Sequence, residues 1–214
     1  KQVIEASKVM DIRKTVKSKL DKKVLYEKYT PANSLGKIPS TLFLAEGDSA
    51  MLLLKRGLAY GDGSYNVNNT GIFSLGGVPM NIGKTMTEQV DEEGDEIEIA
   101  SEKFYESKVF HGLIQTLKLD PCKKYKTTEE VATLAYKKIV ICVDQDLDGR
   151  GNICSLVLQM FDLLWPSLLS EHAYVYHWNS PILRVLTTKG KLVKDFKYES
   201  EYKKWAERED IPKN

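Results

Sequence analysis

Two stretches of this sequence share one pattern: a short apolar run, then acids and a glycine, then apolar residues at helical spacing. TLFLA (41–45) leads into Glu46, Gly47 and DSAMLLLKRGLAY (48–60). IVICV (139–143) leads into D-Q-D-L-D-G (144–149), then Ile153, Leu156, Val157, Met160, Phe161 and Leu164. Short apolar runs predict buried strands, and the 3.6-residue spacing predicts helices over 48–60 and 152–164. Weaker patterns predict an amphipathic helix over 2–23, helical structure over 101–119, and a helix opening at Thr127, where Glu130 completes a capping box. YVYHWN and ILRVLTTKGKLVKDF read as strands, the second a hairpin turning at Lys189-Gly190, and Ser200 reads as the cap of a last charged helix. TPANSLGKIPS reads as a linker, and the acidic DEEGDEIE (91–98) as an exposed excursion. Strands alternating with helices predict an α/β fold, a mostly parallel sheet with helices on both faces.

Composition changes this picture little. The 214 residues are 42% hydrophobic and 29% charged, ordinary for a soluble globular domain. A net charge of +1 gives no global signature of a nucleic-acid binder, although a local patch fits inside a neutral total. Cys122, Cys142 and Cys154 form no CxxC pair, and Cys142 inside an apolar strand reads as a buried free thiol. A reducing, intracellular setting is expected, with no signal peptide and no membrane span. The chain begins at Lys1 without a Met and reads as a piece of something larger.

The chemistry concentrates at the acids. In extended backbone, residues two apart point the same way, so Asp144, Asp146 and Asp148 would crowd and repel unless a cation is present. An EF-hand loop also begins D-x-D-x-D-G, but it follows a helix and needs Glu at the twelfth position, which is Ser155 here. A haloacid-dehalogenase-type phosphotransferase also ends a strand in D-x-D, yet it wants Thr or Val where Asp148 stands. A third reading joins the two matching stretches. If their strands are neighbours in a parallel sheet, Glu46 meets Asp144 and Asp146 at the strand ends, where α/β proteins bind ligands. All-oxygen donors of this kind suit Mg²⁺. The bland competitor is that each acid only caps a helix.

E46-G-D-S-A50, followed about a hundred residues later by D144-Q-D146-L-D148-G149, resembles the TOPRIM domain of type II DNA topoisomerases, specifically the eukaryotic type. The likeness covers residues 40–209, a Rossmann-like TOPRIM domain with helical arms at its ends. It makes 1–39 a helical lead-in and linker, and 210–214 the start of a connection to a winged-helix region. Two departures stand out. The family's P-L-R-G-K is Ser74-Leu75-Gly76-Gly77-Val78 here, without either basic residue. The family's serine-histidine-isoleucine step is Arg150-Gly151-Asn152-Ile153, one residue longer, with Asn152 in the histidine's place. These departures suggest a member from a large DNA virus.

The resemblance implies an ATP-dependent enzyme that breaks both strands of one DNA duplex transiently and passes another through. It implies Mg²⁺, with Mn²⁺ as substitute, held by Glu46, Asp144 and Asp146, with Asp148 tuning the site or holding a second ion. Glu46 would also be the general acid/base. Arg150 and Lys84 are the DNA-binding cations expected to replace the missing basic pair, Arg150 alternatively pairing with Asp148. Partners would be double-stranded DNA, a second copy in a homodimer, and ATPase and winged-helix regions of the same polypeptide. The ATP site and the nucleophilic tyrosine would lie outside this chain, which alone would be inactive. The setting would be host cytoplasm for a viral protein or the nucleus for a cellular one. A Mg²⁺-dependent phosphoryl-transfer enzyme acting on small substrates stays open beside this reading.

Overall fold

Alternation within TLFLA divides its side chains between two hydrophobic cores, which is why the whole run is buried. The structure, a computed structural model, describes residues 18, 20, 25–60, 63–90 and 96–208. Its strands are β1 (Tyr29–Thr30), β2 (Thr41–Ala45), β3 (Thr70–Ser74), β4 (Met86–Val90), β5 (Glu96–Ala100), β6 (Lys138–Cys142), β7 (Val175–His177), β8 (Leu183–Leu186) and β9 (Leu192–Phe196). Its helices are α1 (Asp48–Tyr60), α2 (Glu102–Glu106), α3 (Lys108–Leu117), α4 (Thr128–Ala132), α5 (Cys154–Leu164), α6 (Pro166–Ser170) and α7 (Glu199–Ala206).

Five strands form one sheet in the order β1-β3-β2-β6-β7. The pairs β3–β2, β2–β6 and β6–β7 are parallel, and only β1 runs antiparallel, against β3. The fold is therefore the expected α/β type with a mostly parallel sheet. On one face Phe43, Ala45, Ile72 and Val140 cluster with Met51 and Leu58 of α1. On the other, Leu42, Leu44, Phe73, Ile139 and Ile141 join Leu113 and Leu117 of α3 and Val157, Met160 and Phe161 of α5. Each large side chain so buried contributes about 1.5–3 kcal/mol. That burial, more than helix propensity, holds a helix as short as α3 in place. Trp165, fully buried after α5, donates its indole N–H to the Asp120 carbonyl at 2.9 Å and so leaves no orphan donor.

The structure also corrects the sequence reading. The helix expected over 101–119 is two helices, α2 and α3, broken at Ser107, whose backbone is extended. The helix expected from 152 is α-helical from Cys154 and continues without a break from a π-type turn over Leu147–Ile153. At α4 the predicted capping box is present: Thr127 accepts the Glu130 backbone N–H, and the Glu130 carboxylate accepts that of Thr127. Tyr198, not Ser200, stands at the start of α7, with no side-chain cap. Around the acidic excursion, β4 and β5 form an antiparallel ladder from Met86↔Ala100 to Val90↔Glu96, while 91–95 lie outside the described residues. The β8–β9 hairpin forms as predicted. The helix expected over 2–23 lies outside the described residues except at Ser18 and Leu20, both helical, and 210–214 lie outside them entirely. β1 falls within the segment read as lead-in and linker, yet it is an edge strand of the sheet. No described helix is long and apolar enough to cross a membrane.

Candidate metal centre

β2 and β6 run side by side with Ala45 opposite Cys142, so the residues that follow leave the sheet at the same edge. Glu46 follows β2 directly, and Asp144 follows β6 after one residue, Val143. The chain visits β3 on one side of β2 and then returns to β6 on the other. The two loops therefore diverge here, at the switch point where α/β sheets open a crevice.

The Glu46 carboxyl is pushed above its usual range, first by partial burial, then by the Asp144 charge, with Asp146 and Asp148 adding to it. A hydrogen bond with the Asp144 backbone pulls the other way, and no cation contributes. The four acids thus share one electrostatic neighbourhood. Asp144, Asp146 and Asp148 are exposed, and among the described residues no three Asp, Glu, His or Cys side chains close around an ion position. An open set of oxygen donors fits Mg²⁺, which takes one or two carboxylates and completes its shell with water and phosphate.

The helix-capping alternative holds for one atom. Asp146 Oδ1 accepts the Gly149 backbone N–H at 2.7 Å and caps the turn that follows. That turn, Leu147–Ile153, is π-type: the Cys154 N–H reaches back five residues to the Gly149 carbonyl. Single π-type turns of this kind occur within helices, and this one contains Arg150–Ile153. Gly149 is required there, because a Cβ would run into the Asp144 backbone.

The divergent glycine loop lies against the end of β2. Leu75 N–H bonds to the Ala45 carbonyl and Gly77 N–H to the Glu46 carbonyl, both at 2.8 Å. The loop therefore borders Glu46 and brings no charge. A cation missed in the sequence stands next to it. The Lys28 carbonyl accepts the Ser74 N–H at 2.9 Å, and its Nζ pairs with Asp48, two residues after Glu46, at 3.0 Å. Nothing in the pattern of 25–30 signals this; only the β1–β3 pairing brings it here.

Arg150 does not pair with Asp148. Its Nη2 donates to the Tyr198 hydroxyl at 2.9 Å, and its guanidinium lies 4.4 Å from the centre of that ring. Lys84 is exposed on the 3-10 turn Ile82–Thr85, which packs against α5, and makes no ion pair with the acids among the described residues. The structure thus places Asp144, Asp146 and Asp148 near enough to Glu46 to act on its carboxyl. Gln145, unremarked in the sequence, donates from Nε2 to the Trp178 carbonyl at 3.0 Å and ties the acidic loop to the end of β7.

The sequence matches no protein-family model. In fold, 89% of the chain superposes on 23% of a solved chain, the Plasmodium falciparum topoisomerase II DNA-binding, cleavage and re-ligation domain, with a TM-score of 0.68 and 25% identity. In sequence it is 32% identical to Caenorhabditis elegans DNA topoisomerase 2 top-2 over 92% of the chain and 12% of the relative. By sequence and fold the chain belongs with the eukaryotic-type type II DNA topoisomerases. Within that family it is similar to DNA topoisomerase 2 of African swine fever virus, at 42% identity over 209 residues for the Tick/Malawi isolate and 41% over 210 for the Pretoriuskop isolate. The chain spans about a sixth of the length of those viral relatives, 17%, while 94% of the chain is covered.

Proposed function

We propose that this chain forms the metal-binding TOPRIM part of an ATP-dependent type II DNA topoisomerase from a large DNA virus. The intact protein makes a transient double-strand break in DNA and passes another duplex through it. The observation that carries this reading is the gathering of Glu46, Asp144, Asp146 and Asp148 at the carboxyl ends of two adjacent parallel strands, in a chain related to DNA topoisomerase 2. A bound Mg²⁺, or Mn²⁺ in its place, supplies Lewis-acid stabilisation of charge on the phosphate and the departing 3′ oxygen. Asp144, Glu46 and the uncapped oxygen of Asp146 hold it, and Asp148 tunes the site or holds a second ion. Glu46 holds and returns the proton at the 3′ oxygen, a role suited to a carboxyl whose hold on its proton is strengthened by its surroundings. Arg150 and Lys84 meet DNA phosphate. The nucleophilic tyrosine, the winged helix and the ATPase belong to other regions of the intact protein, which acts as a homodimer.

Glu46→Gln in the intact protein tests the reading, since it keeps the shape and removes charge and proton transfer. Strand cleavage should fall by about 100-fold or more, the usual span of general acid–base catalysis, while DNA affinity changes little. Cleavage at the normal rate would reduce Glu46 to a strand-end residue.

A further inference from the structure

Arg150 stands two residues past Asp148 and four past Asp146. A guanidinium so close to carboxylates is drawn to them, because its planar fork matches a carboxylate in two parallel hydrogen bonds. Among the described residues, however, Arg150 makes no ion pair. Its hydrogen bond and its stacking both go to Tyr198, 48 residues away. Burial and, after it, the Arg150 charge both favour the neutral His177 imidazole. Tyr198 is itself fixed from outside the acidic loop. It precedes α7, whose Tyr202 and Trp205 pack on the buried Phe196 at 5.5 and 5.4 Å.

We propose that Tyr198 is a positioning residue that holds the Arg150 guanidinium off the acid cluster, so that the carboxylates stay free for a divalent cation. The proposal rests on the metal reading above. Hydroxyl and ring act together: the hydroxyl accepts an N–H, and the ring face receives the delocalised charge. Without them the side chain swings onto Asp148 or Asp146 and competes with the cation as an internal counter-ion. Because the clamp comes from the unit formed by the β8–β9 hairpin and α7, displacement of that unit would reach the metal site through one side chain.

Mn²⁺ binding to the intact protein, followed by electron paramagnetic resonance of the free ion, tests this without reference to activity. Tyr198→Ala should weaken Mn²⁺ binding by about three- to tenfold, the effect of one unit charge brought to roughly 5 Å in a largely aqueous setting. Tyr198→Phe keeps the ring and should lose less. The double variant Arg150→Ala/Tyr198→Ala should bind at least as tightly as wild type, because no guanidinium remains to compete. If Tyr198 only supported the fold, the double variant would stay as weak as Tyr198→Ala, and the proposal would fall. It would fall equally if Tyr198→Ala bound Mn²⁺ normally. Asp144→Ala is the control for the underlying reading: unchanged Mn²⁺ affinity in that variant sinks the metal site, and the clamp with it.

Discussion

Burial first, then the charges of Asp144, Asp146 and Asp148, raise the Glu46 carboxyl above its usual range. Such an arrangement opposes folding slightly and favours binding a divalent ion. In the metal-free protein, Glu46→Gln or Asp148→Asn should therefore raise the thermal midpoint by an amount worth about 0.2–1 kcal/mol, the range of exposed charge pairs. Added Mn²⁺ should raise the midpoint of wild type more than that of either variant, since stabilisation by a ligand follows its affinity for the folded state. A lower midpoint for metal-free Glu46→Gln would mean that the carboxylate is a structural partner. At this scale the acids are legible in the sequence as residue types, but the expected alternation is not what places them: Asp146 caps and Asp148 lies within the π-type turn Leu147–Ile153, not in extended backbone. The sharing of Asp146 Oδ1 with Gly149 depends on a folded turn, and the Arg150–Tyr198 contact spans 48 residues; neither has a local signature.

Elements built from continuous apolar runs or strong caps are the legible ones: β2, α1, β6, α5 and the Thr127 capping box. EIEIA (96–100) does alternate with period two, but its acids make it read as an excursion, whereas it pairs with β4. β1 has two residues and gains its place only by pairing with β3, so no window of sequence contains its cause. That pairing sets Lys28 beside the chargeless loop 74–78, at the edge where Glu46 emerges. Cleaving a phosphodiester builds negative charge, and a preorganised cation or donor facing it is typically worth about 2.7–4 kcal/mol. Lys28→Ala should accordingly lower cleavage at saturating DNA by tenfold or more by the same reasoning, and Lys84→Ala, which makes no ion pair with the acids among the described residues, much less. Equal cleavage by Lys28→Ala and wild type would mean that Lys28 is not the compensating cation.

For the molecule as a whole, charge constrains the proposed encounter with DNA. The chain is nearly neutral, with 31 basic residues against 30 acidic ones, and the sheet edge carrying Glu46 and the aspartates is locally negative. DNA approaching that edge meets repulsion that only a bound metal ion or well-placed cations offset. Arg150 is the cation nearest the aspartates in sequence, and its guanidinium is engaged with Tyr198 and not with them. Each phosphate neutralised by a side chain releases condensed counterions, which steepens the dependence of log K on log salt by about 0.9 per phosphate. In the intact protein with Mg²⁺ present, Arg150→Ala should flatten that slope by roughly one unit and weaken binding about equally across DNA sequences. A wild-type slope in Arg150→Ala would mean that the guanidinium never reaches the backbone, and its role would then be confined to its contact with Tyr198.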